Sequence, residues 1–213
     1  MDIIGVDPAS PEVPRRAVQA LRLGGLVVFP TDTYYALGAV ALDDAAVARV
    51  FAAKRRPREA PLPVLIADRD QWRTLVADLP DAALRLAGRF WPGALTIVCR
   101  RGANVPPALA GGGDTIGVRE PALPAAVGLC RALGGPIVGT SANTHGAPAP
   151  VTASQVALDL GALVDLILDG GRCPHGRPST VIDVTRTPPV VVRVGVVPVE
   201  AVREVLGEVV APR

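Results

Sequence analysis

The chain has 213 residues, 22 Lys and Arg against 20 Asp and Glu, 49% hydrophobic residues and only 3% aromatic ones. That length fits one large domain with a sizeable aliphatic core, and a net charge of +2 permits anionic ligands or RNA without requiring either. The most apolar stretch, residues 23–42, is interrupted by Gly24, Gly25, Pro30, Asp32 and Gly38, which excludes an unbroken spanning helix.

Ser10-Pro11 followed by Val13, Ala17, Val18 and Leu21 predicts a capped amphipathic helix that stops at Gly24-Gly25. Residues 26–29 read as a short buried strand ending at Pro30. Asp43-Asp44 opens a second helix with Ala46, Val47, Val50 and Phe51 on its apolar face, and Lys54, Arg55 and Arg56 in its last turn complement the helix dipole. Residues 62–67 read as a strand, 69–77 and 81–90 as helices, and 94–99 as a strand. The Gly/Pro-rich segment 102–114 reads as a surface loop. Strands at 115–119 and 137–140 flank a helix at 123–133. Thr152 with Gln155 forms a capping box for a helix to about residue 160. Strands at 164–168, 180–184 and 190–194 precede a terminal helix at 199–210. Strands alternating with helices predict an α/β or mixed α+β sheet protein in a single domain, 1–213, with no linker, repeat or low-complexity tail.

The cations are unevenly chosen. Of the 22, only Lys54 is a lysine, and Arg49, Lys54, Arg55, Arg56 and Arg58 fall within ten residues. An ammonium is a compact point charge with three rotatable donors and a guanidinium a planar fork, so the two differ at a crowded phosphate or carboxylate. Three cations at a helix C-terminus are also what a solvated helix end looks like. Polar residues gather where strands end: Thr31-Asp32-Thr33 after the first strand, Ser141-Ala142-Asn143 after 137–140, and Ser179-Thr180 before another. Strand-end loops are where open α/β sheets bind ligands. No P-loop, dinucleotide fingerprint or G-x-S-x-G is present. His145 and His175 are the only histidines, so a Ser-His-acid hydrolase has little support. A Cys173-Pro174-His175 triplet has no second ligand pair for zinc, and no metal-binding residues are assigned. Three widely spaced cysteines and the absence of a basic, apolar leader at the start fit a reducing cytoplasm without a membrane. A site of Lys, Arg, Ser, Thr and Asn suits an anionic substrate.

Eight segments in order resemble the YrdC/YwlC family of threonylcarbamoyl-AMP synthases: P-T-D-T-x-Y-x-L-G at 30–38, K-x-R-P at 54–57, W-P-G-x-L-T at 91–96, G-V-R-x-P at 117–121, P-I-V-G-T-S-A-N at 136–143, D-G-G at 169–171, P-S-T-V-I-D at 178–183 and V-V-R-x-G at 191–195. The resemblance implies a twisted mixed sheet flanked by helices, with a deep basic concave face. It also implies a reaction in which L-threonine, bicarbonate (as carbon dioxide) and ATP, with Mg2+ on the phosphates, give threonylcarbamoyl-AMP and pyrophosphate. The expected partners are downstream proteins that transfer the threonylcarbamoyl group to tRNA, with tRNA or double-stranded RNA as a further one. On the matching positions, Lys54 and Arg56 are expected to grip phosphates and developing charge. Thr33 and Arg119, with Ser179 alongside, are expected to bind L-threonine. Ser141 and Asn143 are expected on the nucleotide side, and Thr115 and Arg193 at nucleotide contacts.

Several positions depart from the family pattern. Tyr34 and Ala36 stand where Val and Gly are usual, a version similar to the YciO branch, and Tyr34 would narrow the pocket if it points inward. Ala60, His145 and Ala149 replace polar residues. The alternative reading is therefore a noncatalytic, YciO-like RNA-binding relative, favoured by the basic cluster at 49–58. A stand-alone carbamoyl-adenylate enzyme ranks last.

Overall fold

In the computed structural model, which describes residues 2–212, the strands are divided between two mixed sheets rather than gathered in one. The first has the order β1 (Asp2–Gly5), β9 (Leu166–Asp169), β2 (Val27–Phe29), β3 (Ala36–Gly38), β8 (Thr140–Ser141). β9 lies parallel to both β1 and β2, and the β2–β3 and β3–β8 pairs are antiparallel. The second has the order β11 (Val190–Arg193), β10 (Thr180–Asp183), β5 (Leu95–Arg100), β6 (Thr115–Arg119), β4 (Val64–Leu65), β7 (Ile137–Val138).

The central strands β9, β2 and β3 of the first sheet are buried on both faces, which is why β2 and β9 read as continuous apolar runs. Val27, Phe29, Ala36, Leu166 and Leu168 point to α1 (Arg15–Arg22) and α5 (Pro124–Leu133), where Ala17, Leu21, Ala126 and Leu129 complete one core. The intervening Val28, Leu37 and Ile167 point into the larger core. That core is shared with α2 (Asp44–Lys54), α3 (Arg69–Leu75), α4 (Asp81–Phe90), α6 (Ala153–Leu160), α7 (Val199–Leu206) and the inner face of the second sheet. In the second sheet, Leu95, Ile97, Ile116, Val118 and Ile182 face this core. By the period of two, Thr96, Thr115, Gly117 and Arg119 lie on the opposite face. Among the described residues no helix is long and apolar enough to cross a membrane.

Local signals placed several ends well. Asp43 caps α2 by accepting from the backbone N–H groups of Ala45 and Ala46, at 2.9 and 3.1 Å, and the Thr152–Gln155 capping box is formed at α6. Four expectations need correction. The segment 102–114, read as a surface loop, carries a 3-10 turn at Pro107–Ala110 and buries Val105 and Leu109 in the larger core. The first helix begins at Arg15, not at Ser10-Pro11, because Pro14 holds Val13 out of the helical region; Ser10 instead accepts from Glu12 N–H. The 137–140 strand is two pieces, β7 in one sheet and β8 in the other, separated by Gly139. A Cβ at Gly139 would sit 2.2 Å from Leu65 Cγ, so the crossing point requires glycine. The last helix stops at Leu206, where Gly207 takes φ +80°. β1 and β3 were not anticipated: β1 is a largely exposed edge strand, and β3 lies within a segment read as a turn.

Candidate active site

A cleft of about 360 Å³ opens on the outer face of the second sheet, where the strand-end loops of both sheets converge. Among the described residues its charged lining consists of Arg56, Arg119 and Arg193, with no carboxylate. The hydroxyl-bearing residues Thr31, Thr33, Thr96, Thr140, Ser141 and Ser179 also line it.

One end is built around Arg119, the last residue of β6. Its Nε donates to Gly93 O at 2.8 Å, Nη1 to Thr33 Oγ1 at 2.9 Å, and Nη2 to Asp32 Oδ1. Asp32 Oδ1 also accepts from Ala122 N–H at 3.0 Å, and His175 N–H donates to Asp32 O. Arg119 is 6% exposed and Asp32 2%. Burial pulls the Arg119 pKa down, and the Asp32 charge and its hydrogen bond pull it back. A buried guanidinium needs such a partner to remain charged. Beside this pair, Ser179 Oγ lies 2.8 Å from Thr96 Oγ1, and Arg193 clasps Ser179 through its carbonyl at 2.8 Å and its hydroxyl at 3.0 Å. Tyr34 is half-buried and turned into the cleft, so it does narrow it. Burial of its head group and the charge of Arg119 lower the Arg193 pKa, while Tyr34 raises it.

The other end is organised by Lys54, which is 1% exposed and so not part of a solvated helix end. Its ammonium donates to the backbone carbonyls of Ser141 and of Asn143, the latter at 2.6 Å. The Lys54 carbonyl accepts from His145 N–H at 2.8 Å. The C-terminus of α2 is thereby stitched to the Ser141–Ala147 loop. Asn143 Nδ2 donates to Thr144 O and Ala147 O, and both the N–H and the hydroxyl of Thr144 bond Asp159 at 2.7 Å. Arg55 takes φ +49°, the left-handed turn that ends α2 and brings Arg56 back to the cleft. Arg56 donates to Pro61 O at 2.9 Å and lies 3.2 Å from His145 Nδ1, which must accept because a guanidinium only donates. Burial pulls the Lys54 pKa down to about 8, helped by the Arg56 charge and opposed by Asp159.

Of the residues singled out in the sequence, Thr33, Arg56, Arg119, Ser141, Ser179 and Arg193 line this one cleft. Lys54 and Asn143 lie behind its wall, buried; the Asn143 side-chain oxygen has no partner among the described residues. Thr115 shares the strand face of Arg119 but lies outside the lining. Ala149 lines the cleft and Ala60 does not. Thr31, Asp32 and Thr96, which also build or support the cleft, carry no role in the sequence pattern. Thr96 was detectable as a polar residue alternating between Leu95 and Ile97, and Asp32 as the single acid in P-T-D-T. Among the described residues no group of three or more His, Cys, Asp or Glu could hold a metal ion.

Residues 19–195 match the family model described as Telomere recombination, which covers the Sua5, YciO and YrdC proteins. The chain is 45% identical over 195 residues to a threonylcarbamoyl-AMP synthase of Pyrococcus abyssi, covering 92% of this chain and 57% of that relative. It is 40% identical over 205 residues to a putative threonylcarbamoyl-AMP synthase of Mycobacterium tuberculosis, covering 94% of each. Thus it spans little more than half of the first relative and nearly all of the second. Among solved structures, Pyrococcus abyssi Sua5 complexed with L-threonine superposes with a TM-score of 0.95 at 42% identity, over all of this chain and 63% of that one. Escherichia coli YciO superposes at 0.83 with 33% identity, over 94% of this chain and 97% of that one. By sequence over most of its length, and by fold over all of it, the chain belongs to the Sua5/YciO/YrdC family.

Proposed function

We propose that this chain is a threonylcarbamoyl-AMP synthase, using L-threonine, bicarbonate and ATP. The observation that carries the reading is a single cleft with cations at both ends and no carboxylate among its lining residues. Every reacting species is anionic or becomes so, and such a cleft gathers them against their mutual repulsion. In this reading the threonine amine captures carbon dioxide, and a carbamate oxygen attacks the α-phosphorus of ATP. A P–O bond forms there while the bond to the β-phosphate oxygen breaks, and pyrophosphate leaves. Thr33, Arg119 and Ser179 hold the amino acid; Arg56, Ser141 and Arg193 face the nucleotide. Lys54 and Asn143 act from behind the wall by fixing the Ser141–Ala147 loop, and Thr115 extends the nucleotide side.

Among the described residues there is no carboxylate cage for a resident metal, and in this reading Mg2+ would arrive on the ATP phosphates as part of that substrate. The Ser141 hydroxyl, which lines the cleft, is the donor we assign to it; the Asn143 side-chain oxygen lies buried behind the wall. The product would pass to proteins that transfer the threonylcarbamoyl group to tRNA, and the site of action would be the cytoplasm. Structural superposition with 42% identity to Sua5, against 33% to YciO, supports this reading over the noncatalytic one. Pyrophosphate release by the purified protein with ATP and Mg2+ tests it. Release that requires both L-threonine and bicarbonate supports the synthase, whereas none from folded, ATP-binding protein would sink it and send the test to RNA binding.

A further inference from the structure

His145 stands where the family pattern has serine, and it is tied to both cations of the K-x-R-P segment. Its backbone N–H donates to Lys54 O at 2.8 Å, and its ring nitrogen Nδ1 lies 3.2 Å from Arg56 Nη1. A guanidinium only donates, so Nδ1 offers its lone pair and the proton of the neutral ring sits on Nε2. A guanidinium has five N–H groups, and on Arg56 three are engaged: Nε with Ala60 O at 3.3 Å, Nη2 with Pro61 O at 2.9 Å and Nη1 with His145. Two remain for the cleft that Arg56 lines, one on each terminal nitrogen. Ala60 and Pro61 hold one edge of the fork, along Nε and Nη2. His145 holds the other edge, and it is the single side chain bonded to Arg56 among the described residues. The ring itself is exposed and does not line the cleft.

We propose that His145 is a positioning residue for Arg56 and makes the grip of Arg56 on the ATP phosphates depend on pH, holding the fork when neutral and releasing it when protonated. The proposal rests on the synthase reading for the identity of the ligand. Protonation at Nδ1 removes the lone pair that accepts from Arg56 and sets two cations side by side. The other charged groups around this loop are Lys54 and Arg55 at the end of α2 and Asp159 on α6. Asp159 already accepts from the Thr144 N–H and hydroxyl, one on each oxygen, and forms no ion pair with the ring among the described residues. With no carboxylate bonded to it, an imidazolium beside Arg56 turns one of the two groups aside. A serine at this position does not titrate in the range where histidine does, so the dependence is particular to this chain.

The test is calorimetric binding of ATP and, separately, of L-threonine to wild type, H145N and H145A at about pH 7.5 and about pH 5.5, either side of the range in which histidines titrate. Asn offers an acceptor oxygen close to the place of Nδ1 and does not titrate. At the higher pH, H145A should bind ATP about three- to five-fold more weakly than wild type, the scale of one exposed hydrogen bond, and H145N should stay within about two-fold of wild type. At the lower pH, wild type should weaken to the level of H145A or below it, so that its dissociation constant for ATP relative to that of H145N rises about five-fold. The titrations of ATP itself and of Lys54 are common to all three proteins and cancel in that ratio. L-threonine binding should agree among the three within about two-fold at each pH. A ratio that does not change with pH, or that favours wild type at the lower pH, would overturn the inference alone, as would H145A matching H145N at the higher pH. A wild type that binds no ATP at either pH would overturn the functional reading, and this inference with it.

Discussion

The two ends of the cleft carry the same kind of charge but satisfy it in opposite ways. At the Arg119 end, Arg119 is buried against Asp32, so that pair is neutral and what it offers a ligand is direction; Arg193 beside it rests on the Ser179 carbonyl and hydroxyl, without an ion pair among the described residues, and is the charge that faces the nucleotide. At the Lys54 end, neither Lys54 nor Arg56 forms an ion pair among the described residues; both rest on backbone carbonyls and His145. Carbonyls orient a cation without cancelling it, so this end keeps its positive charge. A polyphosphate needs uncancelled charge, and an amino acid carrying both signs needs geometry. The difference between the ends therefore matches the difference between the two substrates proposed for them.

The largest effect should follow from breaking the neutral end. Arg119→Met leaves the Asp32 carboxylate buried and alone, which should destabilise the fold by about 3–5 kcal/mol. Adding Asp32→Asn should recover part of that loss, as read by denaturant midpoints. The same operation at the other end should act differently. Lys54→Met strips two buried carbonyls of their donor and leaves no orphan charge, so about 2–4 kcal/mol is expected. Turnover should fall by roughly 10²-fold, because the Ser141–Ala147 loop loses its stitch.

A third test uses the crossing point at Gly139, which lines the cleft between the two ends. Gly139→Ala drives a methyl group into Leu65 at the point where the chain passes between sheets. A loss of about 1–3 kcal/mol in stability is expected, with the KM values for both substrates raised together.

The pH profile separates charge from folding. With the Lys54 pKa lowered from its ordinary 10.5 to about 8, activity that depends on its ammonium should fall on the basic side with a midpoint near pH 8. The sign for stability is the reverse. Between about pH 8 and 10.5 the unfolded chain holds a proton at Lys54 that the folded chain has released, so the contribution of this group to stability rises with pH. Loss of activity in that window without loss of ellipticity is the expected result. The smallest effect belongs to Tyr34→Val: a wider amino-acid end should relax discrimination between L-threonine and bulkier amino acids by about 10-fold or less, with ATP affinity unchanged.

How far the sequence could be read depended on how local each cause was. The Asp43 cap of α2 and the Thr152–Gln155 box of α6 are set by neighbours within four residues, and both were legible. The strands at 94–99 and 115–119 were legible as strands, and which of their residues face the core follows from the period of two once the sheet is known. The division of 137–140 was not legible, because only the packing of Leu65, some seventy residues earlier, shows that Gly139 must be the crossing point. Lys54 was singled out because the chain otherwise uses arginine. Its immersion behind the cleft wall depends on carbonyls 87 and 89 residues away, a distance that no helix-end argument reaches. Asp32 lay within a recognised motif, yet its partner Arg119 is likewise 87 residues distant.

The claim that the two ends serve different ligands is tested most directly by equilibrium binding of ATP and of L-threonine, each alone, to wild type, Arg56→Gln and Thr33→Val. The account predicts a crossed pattern: Arg56→Gln weakens ATP about ten-fold and spares L-threonine, while Thr33→Val does the reverse, on the scale of single hydrogen bonds. One variant weakening both ligands equally, or neither variant altering either ligand, would contradict it.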